Sequence, residues 1–186
     1  MFRRAVAPGI LLRQFVPEDA ATLFSVVARQ REYLRRWLPW VDQTLSIDDV
    51  AQFISRAQAQ YDEGRGPQAA ILLDGALAGS VGCHPIDWPN RNCSIGYWID
   101  SGLQGRGLVT RSSAAMLDYL FDELDLHRVE IRCGTGNQRS CAIPERLGFV
   151  REGVARESER VNDTWVDLVV WSVLAPEWHG RVRDRA

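Results

Sequence analysis

A segment near the middle of the chain, from Tyr97 to Thr110, constrains the fold more than any other. It begins as a strand, continues through a short turn rich in glycine, and enters an amphipathic helix at Leu108. Glycine adopts positive φ and lets the backbone approach a ligand closely. The first turn of a helix leaves N–H groups unpaired at the positive end of its dipole. The segment therefore predicts a strand–turn–helix unit, which either binds a phosphate or pyrophosphate through its backbone or is a purely structural turn.

Other phosphate-binding motifs fit the sequence less well. It contains no G-x-x-x-x-G-K-[ST] motif and no G-x-G-x-x-G fingerprint that opens a βαβ unit. The strands before the turn are predicted to be antiparallel, whereas a dinucleotide-binding fold needs parallel strands joined by helices. These observations exclude a P-loop and argue against a dinucleotide-binding domain.

Hydrophobic periodicity along the rest of the chain predicts an α+β fold, with helices on both faces of a largely antiparallel sheet. We predict strands at residues 10–15, 69–73, 79–85, 93–99, 128–133, 150–160 and 164–174. We predict helices at residues 18–29, 31–36, 108–124 and 137–147, and one that runs from a capping box at Ser46 and Asp49 to Gly64. The tail from 176 to 186 is expected to be polar and loosely held.

Length and composition narrow the class of protein. The 186 residues suit a single domain over 1–186 with a core at roughly 10–175. A net charge of −2 provides no basic field, so we predict neither nucleic acid nor membrane as a partner. The first residues lack the apolar stretch of a signal peptide or membrane span, which predicts a cytoplasmic protein. The four cysteines lack metal-type spacing, which predicts no metal, and a cytoplasmic protein is expected to keep its thiols reduced.

Two motifs, which follow one another along the chain, resemble the signatures of the GNAT (Gcn5-related) N-acetyltransferase superfamily. Residues 104–109, Q-G-R-G-L-V, are similar to its pyrophosphate motif Gln/Arg-x-x-Gly-x-Gly/Ala. Residues 137–149, N-Q-R-S-C-A-I-P-E-R-L-G-F, resemble its second signature, N-x-x-S/A followed by E-K/R-L-G-F. Three shorter segments, W-L-P-W at 37–40, Y-W-I-D at 97–100 and W-V-D at 165–167, further resemble the RimJ/RimL-type subgroup, which acetylates protein amino termini.

The resemblance implies a GNAT acyl-CoA N-acyltransferase fold with acetyl-CoA as a substrate, held between splayed central strands. Backbone N–H groups of the splayed strand would polarise the acetyl carbonyl. The residues implied to contact acetyl-CoA are Trp98, Ile99, Gln104, Gly105, Arg106, Gly107, Leu108, Val109, Thr110 and Asn137. Two of them have a structural alternative, because Trp98 could simply pack in the core and Asn137 could hydrogen-bond the start of its helix. Val109 departs from the motif, whose last position is usually glycine or alanine.

The same resemblance implies two catalytic residues. Ser140 matches the serine of RimL-like enzymes that donates a hydrogen bond to charge developing on the departing sulfur, although it could merely cap or pack its helix. Glu159 matches the RimL-like glutamate and is the candidate base, with an exposed charge on a hairpin as the alternative. Glu157 has the same strand parity and is expected to face the cleft beside it. Many GNAT enzymes place a tyrosine acid seven residues after the motif asparagine, where this chain has Pro144.

The sequence therefore predicts an N-acetyltransferase that works by direct attack in a ternary complex, with a protein amino terminus of the ribosomal-protein type as acceptor. Acetylation of a small-molecule amine is the alternative within the same class. Pro144 also keeps open the alternative of a non-catalytic acyl-CoA-binding module.

Members of the family often form homodimers, and the sequence does not decide the oligomeric state. Trp37, Trp40 and Trp88 either wall the acceptor groove or pack in the core, and no catalytic role is assigned to His84.

Overall fold

In the computed structural model, which describes residues 1–183, eight strands form one sheet. The strands are β1 Arg3–Ala7, β2 Ile10–Gln14, β3 Gln68–Leu73, β4 Ala76–Cys83, β5 Asn92–Ile99, β6 Arg128–Gly134, β7 Val150–Val161 and β8 Thr164–Leu174. Their spatial order is β1-β2-β3-β4-β5-β6-β8-β7. All neighbouring pairs are antiparallel except β5 and β6, so the expectation of a largely antiparallel sheet is confirmed.

The helices follow the hydrophobic periodicity of the sequence. They are α1 Asp19–Arg29, α2 Arg31–Leu34, α3 Ile47–Asp62, α4 Leu108–Asp118, α5 Gln138–Leu147 and α6 Ala175–Arg183. The predicted capping box begins α3, where the Asp49 N–H donates to Ser46 Oγ (3.2 Å) and the Ser46 N–H donates to Asp49 Oδ2 (2.8 Å). The helix predicted at 108–124 ends as α4 at Asp118 and continues as one π-helical turn, Tyr119–Glu123.

Helices cover both faces of the sheet, as predicted. The alternation of side chains along β3 shows the two layers, because successive residues of a strand point to opposite faces. Ala69 and Ile71 pack in a core that includes residues of α4, α5 and α6, whereas Ala70 and Leu72 pack in a second core with residues of α1 and α3.

The central strands separate partway along their length. The parallel pairing of β5 with β6 joins only Asn92–Ser94 to Arg128–Glu130. Beyond that point β5 continues along β4, and β6 continues along β8. Gly79 on β4 permits the close approach of β5, since a Cβ at this position would lie 2.2 Å from the Trp98 carbonyl oxygen. A wedge-shaped opening therefore forms between β5 and β6.

The two ends of the chain differ from the sequence-based expectation. No strand was predicted before residue 10, yet β1 pairs with β2. The prediction of a loosely held tail is wrong up to Arg183, because α6 packs on the core through Trp178. This side chain is only 4% exposed, and its Nε1–H donates to Asp118 Oδ1 (2.9 Å). Residues 184–186 of the predicted tail lie outside the described residues.

None of the helices within residues 1–183 has the length and hydrophobicity that crossing a bilayer requires.

Candidate functional site

The opening between β5 and β6 forms a cleft of about 1620 Å³. It exceeds the ~300–1,000 Å³ of most small-molecule sites, which leaves room for an extended ligand and a second molecule. One side is lined by the turn before α4, the first turn of α4, and α5. The other side is lined by residues of α1, α2 and α3, by the segment between α2 and α3, and by the β7–β8 hairpin.

The turn before α4 presents backbone N–H groups to the cleft. Gly105 and Gly107 have φ values of +75° and +71°, which glycine adopts readily and residues with a Cβ atom rarely adopt. The first helical hydrogen bond runs from the Arg111 N–H to the Gly107 oxygen (3.0 Å), so the preceding N–H groups have no partner in the helix ladder. Those groups belong to cleft-lining residues, namely Leu108, Val109 and Thr110. The unit can bind an anion through its backbone, at the positive end of the α4 dipole.

Three side chains fix this turn against the neighbouring helices. The Gln104 side-chain amide donates to the Tyr33 hydroxyl and accepts from the Arg139 guanidinium of α5. Arg111 donates to the Arg106 carbonyl oxygen (2.6 Å). Arg111 and Arg139 line the cleft, whereas the exposed Arg106 does not. The positive charge nearest the helix N-termini is therefore placed by Arg111 and Arg139, of which the motif resemblance indicated neither.

Only alternate residues of β5 direct their backbone groups into the cleft. The Asp100 N–H donates to the Ala78 oxygen and the His84 N–H to the Ser94 oxygen, both at 2.8 Å. Because hydrogen-bonded pairs alternate along an antiparallel ladder, the backbone of Trp98 also pairs with β4. The N–H groups of Tyr97 and Ile99 point away from β4, towards the side that β6 has left. Trp98 thus lines the cleft with its indole, while Ile99 and Tyr97 offer the backbone donors.

The start of α5 brings a serine and a tyrosine together. Asn137 caps the helix, since its Oδ1 accepts from the Ser140 N–H (3.2 Å). Tyr97 Oη donates to the Ser140 carbonyl oxygen (3.0 Å) and lies 3.4 Å from Ser140 Oγ. Burial raises the pKa of Tyr97 well above its usual value, so its hydroxyl stays protonated. Sequence analysis gave the Tyr97 side chain no role, although its parity with Ile95 and Ile99 points it towards α4 and α5.

The hairpin contributes one carboxylate to the cleft, not two. Glu159 lines the cleft, and partial burial raises the pKa of its carboxyl group. A bulge between Ala155 and Glu159 breaks the regular alternation of β7. Glu157 lies in this bulge with φ +47°, is exposed, and donates its N–H to Asp167 Oδ1 (2.7 Å). The prediction that Glu157 faces the cleft beside Glu159 is therefore wrong, because strand parity does not extend across a bulge.

Aromatic side chains form much of the wall opposite α4. Trp40 lies against Trp98, with ring centroids 6.3 Å apart, and both line the cleft. The Trp37 ring also lines the cleft and covers the turn after β6, where a Cβ on Gly134 would lie 3.4 Å from it. Trp88 lies elsewhere and donates its Nε1–H to the Gly64 oxygen (2.9 Å). Two of the three tryptophans considered as groove walls therefore reach the cleft.

Polar groups on the same wall could contact a second substrate. His84 lines the cleft above Gly96, where a Cβ would lie 3.8 Å from His84 Nε2. Partial desolvation of the ring and, to a smaller extent, the nearby charge of Arg132 lower the pKa of His84, which favours the neutral ring at pH 7. Arg56 and Gln68 also line this part of the cleft. No local motif marks any of these residues, which lie on different elements of the fold: Arg56 on α3, Gln68 on β3 and His84 just after β4.

The cysteine that lines the cleft is poorly suited to act as a nucleophile. Cys133 lines the cleft, but burial raises its pKa to about 12, so it is a thiol rather than a nucleophilic thiolate at neutral pH. Within residues 1–183, no three side chains of the His, Cys, Asp and Glu types are grouped so as to hold a metal ion.

Comparisons with known proteins agree with this geometry. The family model described as an acetyltransferase (GNAT) domain matches residues 10–150. The chain is 37% identical to YdaF of Bacillus subtilis (strain 168), which is provisionally named a ribosomal N-acetyltransferase, over 97% of this chain and 99% of the relative.

Two solved structures with bound cofactor are also similar. The microcin C7 self-immunity acetyltransferase MccE, in complex with acetyl-CoA and AMP, has a TM-score of 0.87 and 25% identity over 91% of this chain and 94% of that one. Mycobacterium smegmatis RimJ, in complex with a CoA disulfide, has a TM-score of 0.86 and 26% identity over 94% of this chain and 88% of that one.

Proposed function

Since this chain belongs to the GNAT acetyltransferase family and is an acetyl-CoA-dependent N-acetyltransferase of the RimJ/RimL-like type, we propose that it acetylates the terminal α-amine of a protein, by direct attack in a ternary complex. The observation that carries this proposal is the shape of the cleft. Its α4 side offers an anion-binding turn, and aromatic and polar side chains line the rest of a cleft whose volume leaves room for a second, extended substrate. YdaF, with its ribosomal assignment, favours the same acceptor class.

Acetyl-CoA is proposed to enter from the α4 side. The N–H groups at the start of α4, together with the Arg111 and Arg139 side chains, would hold the pyrophosphate. The pantetheine arm would then run along β5, where the backbone groups of Tyr97 and Ile99 are directed into the cleft. This route leads to Ser140, with Asn137 at the start of the same helix. Of the residues implied by the motif, Arg106 is the one whose side chain supports no cofactor contact, because it lies outside the cleft lining.

Acetyl transfer would then proceed in one covalent exchange. The amine nitrogen attacks the thioester carbonyl carbon, a C–N bond forms, and the C–S bond breaks with the electron pair leaving on sulfur. Glu159 takes the proton that the amine loses, and the Ser140 hydroxyl donates a hydrogen bond to the thiolate. A serine hydroxyl is too weak an acid to give up its proton, so the thiolate takes its proton from solvent as CoA leaves.

Two carboxylates line the cleft, Asp49 and Glu159. Because Asp49 is hydrogen-bonded in the cap of α3, Glu159 is the candidate base, and a base of this kind suits an α-amine better than a lysine. An α-amino group has a pKa of ~8 and is partly neutral at cellular pH, whereas a lysine near ~10.4 is almost entirely charged. Burial raises the pKa of Glu159, but a carboxylate remains a far weaker base than a lysine amine, so it would have to deprotonate a lysine almost unaided. A small amine is the second candidate, which the AMP-bound neighbour MccE keeps open.

A panel of acceptors tests the proposed class. We expect release of free thiol from acetyl-CoA with peptides that carry a free α-amine, at a kcat/KM at least ~10-fold above that of the same peptides with a blocked α-amine and a free lysine. Small amines such as polyamines, amino acids and aminoglycosides serve as the other arm. A preference for a small amine would contradict the proposal. Binding of acetyl-CoA without turnover across the panel would instead identify an acyl-CoA-binding module.

The role of Glu159 is tested by its pH dependence. If Glu159 is the base, wild-type kcat falls as the pH drops through the raised pKa of its carboxyl group, and Glu159→Gln removes this acidic limb. We expect kcat at pH 7 to fall by roughly 10-fold. This loss is smaller than the ~100-fold or more that removal of a general base usually causes, because part of an α-amine is already neutral. Glu157→Gln is the matched control and should leave the profile unchanged. An unshifted profile in Glu159→Gln would remove this residue from the mechanism.

The same variant has a predicted effect on stability. Burial raises the pKa of Glu159 in the folded protein above that of the unfolded chain, so the folded state loses stability as the pH rises between the two values. Glutamine is neutral at every pH and avoids this cost. Glu159→Gln is therefore expected to raise Tm slightly at pH 7 and to leave it unchanged below ~3, where the Glu159 carboxyl group is protonated in both the folded and the unfolded chain. Thermal unfolding at the two pH values measures the difference.

A further inference from the structure

A proline in the middle of α5 leaves one backbone carbonyl without its helical partner. In a regular helix the carbonyl oxygen of residue 140 accepts from the N–H of residue 144. Residue 144 is Pro144, which lies inside α5, is buried, and has no N–H to donate. Its ring also crowds the carbonyl four residues earlier. The Ser140 carbonyl oxygen is therefore free to accept from another donor.

The donor is a tyrosine from the central sheet. Tyr97 Oη donates to the Ser140 carbonyl oxygen at 3.0 Å, across a sequence separation of 43 residues. Tyr97 Oη also lies 3.4 Å from Ser140 Oγ, in an orientation that lets the tyrosine oxygen accept the serine hydroxyl proton. Asn137 holds the Ser140 N–H from the other side. The backbone and the side chain of Ser140 are thus both held by groups on the cleft wall.

We propose that Tyr97 is a positioning residue for acetyl transfer, which fixes the Ser140 hydroxyl at the place where the thiolate forms, and that Pro144 makes this possible by leaving the Ser140 carbonyl open. The inference rests on the proposed role of Ser140. Because the Tyr97 proton is committed to the carbonyl, Tyr97 fixes the backbone that carries the Ser140 side chain. The one hydroxyl proton of Ser140 points to Tyr97 Oη at rest and leaves it for the sulfur when negative charge develops there. The chain has Pro144 where many family members have a catalytic tyrosine. In this proposal a tyrosine of β5, Tyr97, serves the reaction instead, by acting through Ser140.

The first experiment is a double-mutant cycle on turnover. Tyr97→Phe removes one oxygen and is expected to lower kcat on the order of 10-fold, with KM for acetyl-CoA changed by less than ~3-fold. In a Ser140→Ala background the same change is expected to alter kcat by less than ~2-fold, because the group it positions is gone. Tyr119→Phe removes a hydroxyl from a tyrosine outside the cleft and should leave kcat unchanged. An equal loss in both backgrounds would show that Tyr97 does not act through Ser140.

The second experiment is a cycle on stability and needs no acceptor. Tyr97→Phe leaves the Ser140 carbonyl without a donor and is expected to lower Tm by about 3–8 °C. Pro144→Ala restores an N–H at residue 144 and suits a helix interior. In the Pro144→Ala background, Tyr97→Phe is expected to lower Tm by less than half as much. An equal loss of Tm in both backgrounds would overturn the claim that Pro144 opens this carbonyl.

The two cycles separate the ways in which the inference can fail. Unchanged turnover in Ser140→Ala would remove the role of Ser140 and, with it, the positioning role of Tyr97. The stability cycle would still report whether Tyr97 replaces the missing N–H. The turnover cycle can be run with any amine that is acetylated, so a preference for a small amine would contradict the proposed acceptor and leave both cycles in place. If no amine is acetylated, the proposed function and the positioning role of Tyr97 fail together, and the stability cycle still tests the contact with Ser140.

Discussion

Ser140→Ala is expected to lower kcat on the order of 100-fold, the typical effect of removing one donor from a developing negative charge. KM for acetyl-CoA should change by less than ~3-fold, because the hydroxyl contacts the sulfur only when charge develops there. The structure supports this split, since the hydroxyl lies beside Tyr97 in the cleft while the anion-binding turn is formed by different residues. Steady-state kinetics with saturating acceptor measures both constants.

The alternative role of Ser140 as a packing residue predicts a different result. Its N–H is bonded to the cap residue Asn137, and that contact survives replacement by alanine. Loss of activity through loss of structure would therefore appear as a lowered Tm. Ser55→Ala, on the exposed face of α3, is the matched control and should change neither constant. If Ser140→Ala raised KM in parallel with the fall in kcat, the residue would belong to cofactor binding.

Gly107→Val is expected to raise KM for acetyl-CoA on the order of 100-fold. Gly107 has φ +71° as the cap residue of α4, a conformation that β-branched residues avoid. A valine side chain at this position would force a different backbone conformation and turn the first N–H groups of the helix away from the phosphate. Two charge-assisted hydrogen bonds of ~1.5 kcal/mol each correspond to that loss of affinity. kcat at saturating acetyl-CoA should fall much less, because Ser140 and Glu159 lie on other elements.

A second glycine separates backbone strain from cofactor binding. Gly64 has nearly the same φ, +70°, and a Cβ there would meet no atom within 4 Å. It lies after α3 and does not line the cleft. Gly64→Val should therefore lose a similar amount of stability, roughly 1–3 kcal/mol, and keep the wild-type KM. If both variants raised KM equally, the effect at Gly107 would be one of general destabilisation.

Much of the fold could be predicted because its signals are local. The capping box at Ser46, the helical period of α3 and the alternation along the strands each depend on residues within a few positions of one another. The strand β1 and the helix α6 were missed for the opposite reason. The helix α6 packs on the core through the buried Trp178, whose partner Asp118 lies 60 residues away, and no local pattern in a polar segment indicates that contact.

The candidate site divides in the same way. The cofactor turn could be recognised from its glycines, but the charges that flank it, Arg111 and Arg139, could not be assigned before α4 and α5 were placed side by side. Glu159 was indicated by family resemblance, while Glu157 was placed wrongly because a bulge is not visible in strand parity. Pro144 raised the question of the missing tyrosine, and the sequence offered no residue to answer it.

The sequence by itself determined the strand–turn–helix unit that is proposed to bind acetyl-CoA, because positive φ at glycine and unpaired N–H groups at a helix start are properties of the local chain. Only the tertiary structure decided how the cleft is completed. The separation of β5 from β6 after Ser94 and the meeting of Tyr97 with Ser140 both depend on contacts between distant segments. Such contacts form because burial and hydrogen bonding are satisfied across the whole molecule, and no short window of sequence contains that information.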